Sequence, residues 1–383
     1  MTKATWTLLM HASDPSRRRF LQSTGLSLAA ASLAGTRVAA QPRLPGPPEK
    51  KLGYAIVGLG SLSINQILPA FAYCRHARPT ALVSGDAAKA KTLAAAYGVP
   101  ESGIYSYDTY DRIKDNPDVD IVYVVLPNSM HREYTVRAHE AGKHVLCEKP
   151  MANTPQECEQ MIAAAKAAGR KLMIGYRLRY EPYNMAMIDM VRNQEFGKPK
   201  VLLCEAGFSI GNPNQWRLKK ALAGGGSLMD IGVYALNAAR YLSGEEPVAI
   251  NAMEYTTPGD PRFADGVEET INFQLRFPSG LLANCVSSYG VGLNRFRVHA
   301  EKGSFELEPA LSYTDLRMRV IRGNTVELRS LPERNHFAAE MDHLAECVKS
   351  DSEPRTPGEE GLKDLRAMMA IYEAARTGKT VAM

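Results

Sequence analysis

From Tyr54 onward, short apolar runs alternate with helical segments, and nothing else in the chain limits its possible folds so strongly. Strands are expected at Tyr54–Val57, Thr80–Val83, Ile121–Leu126, His144–Cys147 and Lys171–Ile174. Helices are expected between them, near Asn65–Tyr73, Ala87–Tyr97, His131–Ala141 and Pro155–Ala168. Continuous apolar strands separated by helices imply a parallel sheet covered on both faces. After about residue 180 the rhythm changes. Helices near Tyr183–Asn193 and Leu228–Leu242 accompany closely spaced strand-like runs at Val201–Phe208, Val248–Tyr255, Glu269–Phe277, Leu281–Ser287, Phe296–Ala300 and Ser304–Leu307. Short loops such as Pro278-Ser279-Gly280 predict hairpins, hence a large, mostly antiparallel second sheet. Two closing helices are expected near Phe337–Lys349 and Glu359–Thr377. The expected class is an α/β Rossmann domain followed by an α+β domain with an open sheet.

The chain of 383 residues carries a formal net charge of +5, which invites a nucleic-acid reading. Its location excludes that reading. Residues 1–40 hold Lys3, Arg17, Arg18, Arg19 and Arg37 against Asp14 alone, which leaves 41 basic and 40 acidic residues in the remainder. Ser16-Arg17-Arg18-Arg19-Phe20-Leu21 precedes a modestly apolar stretch, Gly25 to Gly35, and Val38-Ala39-Ala40 offers small residues before Gln41. This is the layout of a twin-arginine signal, which exports folded proteins and implies the export machinery as partner and the periplasm as destination. The apolar stretch is well short of the ~20 residues a spanning helix needs, so no stable membrane association is expected. Four prolines between Gln41 and Lys50 favour an extended arm over residues 41–51. The expected domains are 52–176 for a dinucleotide and 177–358 for substrate and oligomer contacts. A C-terminal helix within 359–383 should pack back on the first domain. Six cysteines without close pairing suggest buried thiols rather than a metal site.

Gly58-Leu59-Gly60-Ser61-Leu62-Ser63 follows the first strand and opens a helix. Gly58 allows the tight turn and Gly60 lets backbone approach a pyrophosphate, while Ser63 replaces the usual third glycine. The second strand ends Val83-Ser84-Gly85-Asp86, with Lys89 a turn later. Ser84 and Lys89 would hold the 2′-phosphate of NADP; Asp86 either caps the next helix or, facing the ribose, would prefer NAD. Pro127-Asn128-Ser129-Met130-His131 and Glu148-Lys149-Pro150 follow the next two strands, at the carboxyl ends where open α/β sheets bind ligands. Lys149, partly desolvated there, is a candidate acid/base group. Downstream, Gly224-Gly225-Gly226 leads to Asp230 and Tyr234, four apart and on one helix face. Each of these motifs also has a plain structural reading: a Lys-Pro turn, or a capped helix with a buried tyrosine.

Taken in order, Gly58-Leu59-Gly60, Pro127-Asn128 with His131, Glu148-Lys149-Pro150 and Gly224 through Tyr234 resemble the Gfo/Idh/MocA oxidoreductase family, and in particular its glucose–fructose oxidoreductase branch. Many family members carry histidine where Tyr234 stands, and this branch is similar to the present chain in using tyrosine. The resemblance implies hydride transfer between a nicotinamide and a sugar carbon, with an open sheet that supports a homodimer or homotetramer. It implies that Tyr234 exchanges the substrate proton, that Lys149 positions the oxygen and lowers the tyrosine pKa, and that Asp230 binds substrate. Glu148, Asn128, Arg177, Trp216 and Arg217 would line the cofactor, and Tyr180 and His336 would lie near the sugar pocket.

An enzyme exported from the cytoplasm meets no pool of free cofactor. The expected activity is therefore a ping-pong cycle on tightly bound NADP: an aldose is oxidised at C1 to an aldonolactone, and fructose or another aldose is reduced to an alditol. A sugar dehydrogenase or reductase with dissociable NAD(P), an NAD-dependent glycosidase of the same fold, and a catalytically silent sugar-binding protein remain as alternatives.

Overall fold

A computed structural model describes residues 50–383. The expected export leader and all but the last two residues of the proline-rich arm lie outside the described residues. β1 (Leu52–Val57) is buried at every position after its first, as a central strand covered on both faces must be. It leads through a π-helical turn, Ser63–Ile67, into one turn of α1 (Leu68–Ala70) and a 3-10 turn, Phe71–Tyr73. β2 (Ala77–Val83) and α2 (Ala87–Tyr97) follow, then the two-residue β3 (Ile104–Tyr105). β4 (Ile121–Val124), α3 (Asn128–Glu140), β5 (His144–Glu148), α4 (Pro155–Ala168) and β6 (Leu172–Gly175) complete the first layer. The six strands are parallel, in the order β3-β2-β1-β4-β5-β6.

The bounds of α2 and α4 match the sequence expectation because their caps are written in the chain. The Asp86 side chain accepts from the Lys89 amide at 3.0 Å, and Gly98 ends α2 in the left-handed region. Thr154 and Glu157 form a capping box on α4, Pro155 fills its first turn, and Gly169 ends it. β3 is too short to leave a periodic signal.

The second layer contains α5 (Pro182–Arg192), β7 (Pro199–Gly207), the short α6 (Lys220–Ala223), a π-helical turn Leu228–Gly232, and α7 (Val233–Ser243). β8 (Ala249–Tyr255), β9 (Thr270–Arg276), β10 (Leu282–Ser288), β11 (Leu293–Ala300) and β12 (Gly303–Leu307) come next. The hairpin β13 (Met318–Arg322) and β14 (Thr325–Arg329) was not anticipated, because alternating arginines at an exposed sheet edge dilute the apolar signal. The nine-stranded order is β14-β13-β12-β11-β7-β10-β9-β8-β15, and every pair is antiparallel except β7 with β10.

Two closing helices bind the layers together. α8 (His336–Ser350), grouped with the second domain by sequence position, packs on the parallel sheet instead. Phe337, Met341 and Leu344 share a core with Tyr54, Ile56 and Leu82, and the Tyr54 hydroxyl donates to the Met341 carbonyl at 2.7 Å. α9 (Gly358–Thr377) lies close against β6: a methyl at Gly361 would sit 3.1 Å from Ile174 Cγ1. One turn on, the buried Asp364 pairs with Arg240 of α7 at 2.5 Å. Chain residues Val381–Ala382 then form β15 on the edge of the second sheet. The C-terminal segment thus joins both layers, where the sequence suggested the first alone. All six cysteines are buried and unpaired.

Candidate active site

At the carboxyl ends of β1, β4 and β5, a cavity of about 940 Å3 opens between the two layers. Its floor is the β1 turn. Gly58 has φ +94°, and a methyl there would lie 2.2 Å from the Val125 carbonyl oxygen, so only glycine fits. A methyl at Gly60 would meet nothing within 4 Å, which leaves room for a ligand against bare backbone. Ser63, at the third fingerprint position, is buried and donates to the Gly58 carbonyl at 2.5 Å, so the hydroxyl braces the turn. Leu59, Ser61 and Leu62 face the same cavity. The residues therefore fit a dinucleotide with its pyrophosphate over Gly60.

Ser84, Gly85, Asp86 and Lys89 line the far end of the cavity beside Tyr107. Asp86 caps α2 and also faces the cavity, with Lys89 Nζ 4.0 Å from its carboxylate. Of its two alternative duties, the cap is the one formed by a hydrogen bond.

At the opposite end stand the groups with acid/base capacity. Tyr234 begins α7 and turns its hydroxyl toward Arg177, whose Nε donates to it at 3.2 Å. Arg177 also donates to the Leu311 carbonyl at 2.5 Å and lies 3.1 Å from His336 Nδ1. Lys149, after β5, sits over the Tyr234 ring with Nζ 4.7 Å from the centroid. Its Nζ donates to the Asp230 carbonyl at 2.5 Å and lies 3.7 Å from that carboxylate. Asp230 Oδ2 accepts from Arg217 Nε at 2.9 Å and from the Tyr289 hydroxyl at 3.1 Å.

Burial and these cations set the protonation states. Burial pushes the Tyr234 phenol up to about 12, with the Arg177 guanidinium opposing the rise. Burial lowers the Lys149 ammonium below its ordinary value, and Asp230 and Glu148 resist that change. Burial alone would raise Asp230, but Arg217 and then Lys149 outweigh it and hold the carboxyl below the usual range. Burial, with Arg177 nearby, drives His336 down to about 3, so its imidazole is neutral and accepts from Arg177.

Residues 52–176 match the oxidoreductase family with an NAD-binding Rossmann fold, and residues 185–306 match the GFO/IDH/MocA C-terminal domain. The chain belongs to the GFO/IDH/MocA oxidoreductase family. Within it, the chain is 33% identical to a D-xylose 1-dehydrogenase [NADP(+)] of Haloarcula marismortui over 86% of its own length and 92% of the relative's. It is 30% identical to a 1,5-anhydro-D-fructose reductase of Ensifer adhaerens over 74% of this chain and 86% of that one. The crystal structure of an aldose-aldose oxidoreductase from Caulobacter crescentus, complexed with glycerol, superimposes with a TM-score of 0.85 at 57% identity, covering 87% of this chain and all of that one.

The cavity of this family member gathers most of the residues singled out from sequence: Pro127, Asn128, Glu148, Lys149, Arg177, Trp216, Arg217, Asp230 and Tyr234 all line it. Three lie elsewhere. His131 is fully buried, and its two ring nitrogens lie 2.9 Å from the Pro150 and Leu126 carbonyls, so it ties the two loop ends together beneath the cavity. Tyr180 points into the core behind β6, its hydroxyl 3.2 Å from Thr356 Oγ1, and does not reach the cavity wall. His336 sits behind Arg177, one layer back. Arg217 faces the cavity but spends its Nε on Asp230, so its geometry serves the carboxylate.

The sequence reading missed Tyr289 on Asp230, and Leu311, Ser312 and Tyr313 on the loop opposite. Tyr313 covers Arg177, with 4.6 Å between the guanidinium carbon and the ring centroid. A lone tyrosine in a loop carries no periodic signal, and only tertiary contact brings it here.

Proposed function

We propose that this chain is a sugar oxidoreductase that works on a tightly held NADP, oxidising an aldose at C1 to an aldonolactone and reducing a second sugar, fructose or another aldose, to an alditol. The observation that carries this reading is the Tyr234 hydroxyl, held by Arg177 and flanked by Lys149, at the inner end of the dinucleotide cavity. The 57% identity to an aldose-aldose oxidoreductase supports the choice of aldoses, and the relative that uses NADP(+) supports the choice of cofactor. Ser84 and Lys89 at the ribose end favour a 2′-phosphate.

The nicotinamide, when bound, supplies and accepts the hydride. The protein handles the proton. In the oxidative half, the Tyr234 oxygen as phenolate takes the proton of the C1 hydroxyl while the hydride leaves C1, so the lactone forms without net charge change. In the reductive half, the phenol returns that proton to the carbonyl oxygen of the second sugar as the hydride arrives. Tyr234 ends as it began. Arg177 and Lys149 stabilise the phenolate that the first half requires. Asp230, kept ionised by Arg217, fixes Lys149 and presents a carboxylate to sugar hydroxyls.

We further propose export of the folded, loaded enzyme by the twin-arginine route, which explains why it must recycle its cofactor in place. The test is to purify the mature chain, identify any nucleotide released on denaturation, and incubate the protein with an aldose pair and no added cofactor. Stoichiometric NADP, with lactone and alditol formed one-to-one, is the expected result. A cofactor-free protein that turns over only with added NAD would overturn it.

A further inference from the structure

Three buried side chains from three elements meet behind Lys149. The Tyr123 hydroxyl oxygen, on β4, lies 2.7 Å from Glu148 Oε1 at the end of β5 and 2.9 Å from Glu340 Oε1 on α8. Tyr123 and Glu340 are fully buried, and Glu148 nearly so. One hydroxyl carries one hydrogen and can donate to only one of the two carboxyl oxygens. The second contact is a hydrogen bond only if that carboxyl itself carries a proton and donates to the tyrosine oxygen.

The surroundings say which carboxyl that is. Glu148 faces the Lys149 ammonium and the Arg177 guanidinium, and its Oε2 accepts from the Lys149 amide at 3.3 Å. Glu340 Oε2 has no hydrogen-bond donor among the described residues, although it is shut away from solvent. An ionised carboxylate with one bare oxygen would be a heavily penalised arrangement, whereas a carbonyl oxygen there is tolerable. Burial raises both carboxyls, but at Glu148 the Lys149 ammonium and the Arg177 guanidinium oppose the rise, whereas at Glu340 the neighbouring Glu148 adds to it and carries the group well above the ordinary carboxyl range. The other titratable groups that face the cluster are the Tyr234, Tyr180, Tyr54 and Tyr313 phenols and the Cys147 thiol, with the neutral His336 beside Arg177. None of these adds a cation beyond Lys149 and Arg177.

We propose that Glu340 is a permanently protonated positioning residue: its carboxylic acid donates to Tyr123, Tyr123 donates to Glu148, and this relay fixes Glu148 as an oriented anion at the nicotinamide end of the cavity. α8 is suited to the task. His336 and Glu340 are four residues apart on one helix face, so a single helix meets Arg177 from one turn and Tyr123 from the next. The relay sets the net charge beside Lys149 at one carboxylate rather than two. A second ionised carboxylate there would favour the phenol form of Tyr234 and oppose the phenolate.

The protonation state is read by infrared difference spectroscopy on the full chain at pH 8, without cofactor. The wild-type minus E340Q spectrum should contain the carbonyl stretch of a neutral carboxylic acid, and the wild-type minus E148Q spectrum should lack it. A neutral-acid band that disappears with E148Q, or with neither variant, overturns the proposal. The positioning role is read by titrating NADP into E340Q and E340M at matched thermal stability. E340Q keeps a neutral donor and should bind NADP within about twofold of wild type. E340M removes the donor, and the freed relay should weaken binding by about tenfold, the scale of one lost buried hydrogen bond. Equal affinity in E340M and wild type overturns the positioning role. The NADP arm rests on the cofactor reading proposed above and the infrared arm does not, so failure of the two readings can be told apart.

Discussion

Arg177 Nε donates to the Tyr234 hydroxyl at 3.2 Å, whereas Lys149 Nζ lies beside the ring of that tyrosine and makes its short hydrogen bond to the Asp230 carbonyl. The group in direct contact with the Tyr234 oxygen is therefore the arginine, and the lysine meets the ring. The sequence reading gave the first role to Lys149. Replacing Arg177 by methionine should lower kcat by at least about tenfold, the value of one charge-assisted hydrogen bond, and push the phenol still higher. Steady-state kinetics with both sugars checks this. An R177M enzyme with wild-type kcat would return the leading role to Lys149.

Tyr234→Phe removes the proton carrier and leaves the ring that fills the cavity wall. Turnover should fall by about 10^2 to 10^4, the range for loss of a general acid/base, while NADP affinity stays near wild type. Nucleotide titration beside activity assays separates the two effects.

The two half-reactions proposed above would need opposite forms of the same phenol, which burial holds up to about 12. Between pH 6 and pH 9, a range that stays below that value, single-turnover oxidation of an aldose should accelerate as phenolate becomes more populated. Reduction of the second sugar, which uses the phenol, should stay level over the same range. Stopped-flow absorbance of the reduced nicotinamide follows each half, and equal slopes for both would contradict the shared carrier.

Asp230 is held below its ordinary pKa by Arg217 and Lys149 against the opposing effect of burial. Its folded value lies below the unfolded one, so it contributes stability above about pH 3.9 that is lost as pH falls through the folded value. Asp230→Asn should therefore flatten the fall in Tm between pH 5 and pH 3 relative to wild type. Thermal melts across that range provide the comparison.

The two fingerprint glycines should respond in opposite ways. Gly58→Ala forces a methyl into the Val125 carbonyl at a positive φ and should cost about 2 kcal/mol or more of stability. Gly60→Val enters open space and should change stability by less than about 1 kcal/mol, yet obstruct the pyrophosphate and weaken NADP binding. Denaturant unfolding and nucleotide titration distinguish a folding role from a binding role.

The parallel sheet, the antiparallel second sheet and the bounds of α2 and α4 were legible in the sequence, because apolar periodicity and capping residues act locally. So were Gly58, Gly60, Lys149, Asp230 and Tyr234, whose spacing fixes a turn or a helix face. The contacts of their partners were not. Arg177 on Tyr234, Tyr289 on Asp230 and Tyr313 over Arg177 join side chains separated by dozens of residues. His131 and Tyr180 fit the sequence pattern of a site, but both lie beneath it, one ring between the Pro150 and Leu126 carbonyls and the other against Thr356. α8 is the clearest case. Its amphipathic pattern says only that one face is buried, and tertiary packing alone decided that the parallel sheet would receive it and that Glu340 would meet Tyr123. Local rules determine which residues form each element. Which buried polar groups face one another depends on how the two sheets dock, and that is settled by the need to pair every such group once water is excluded.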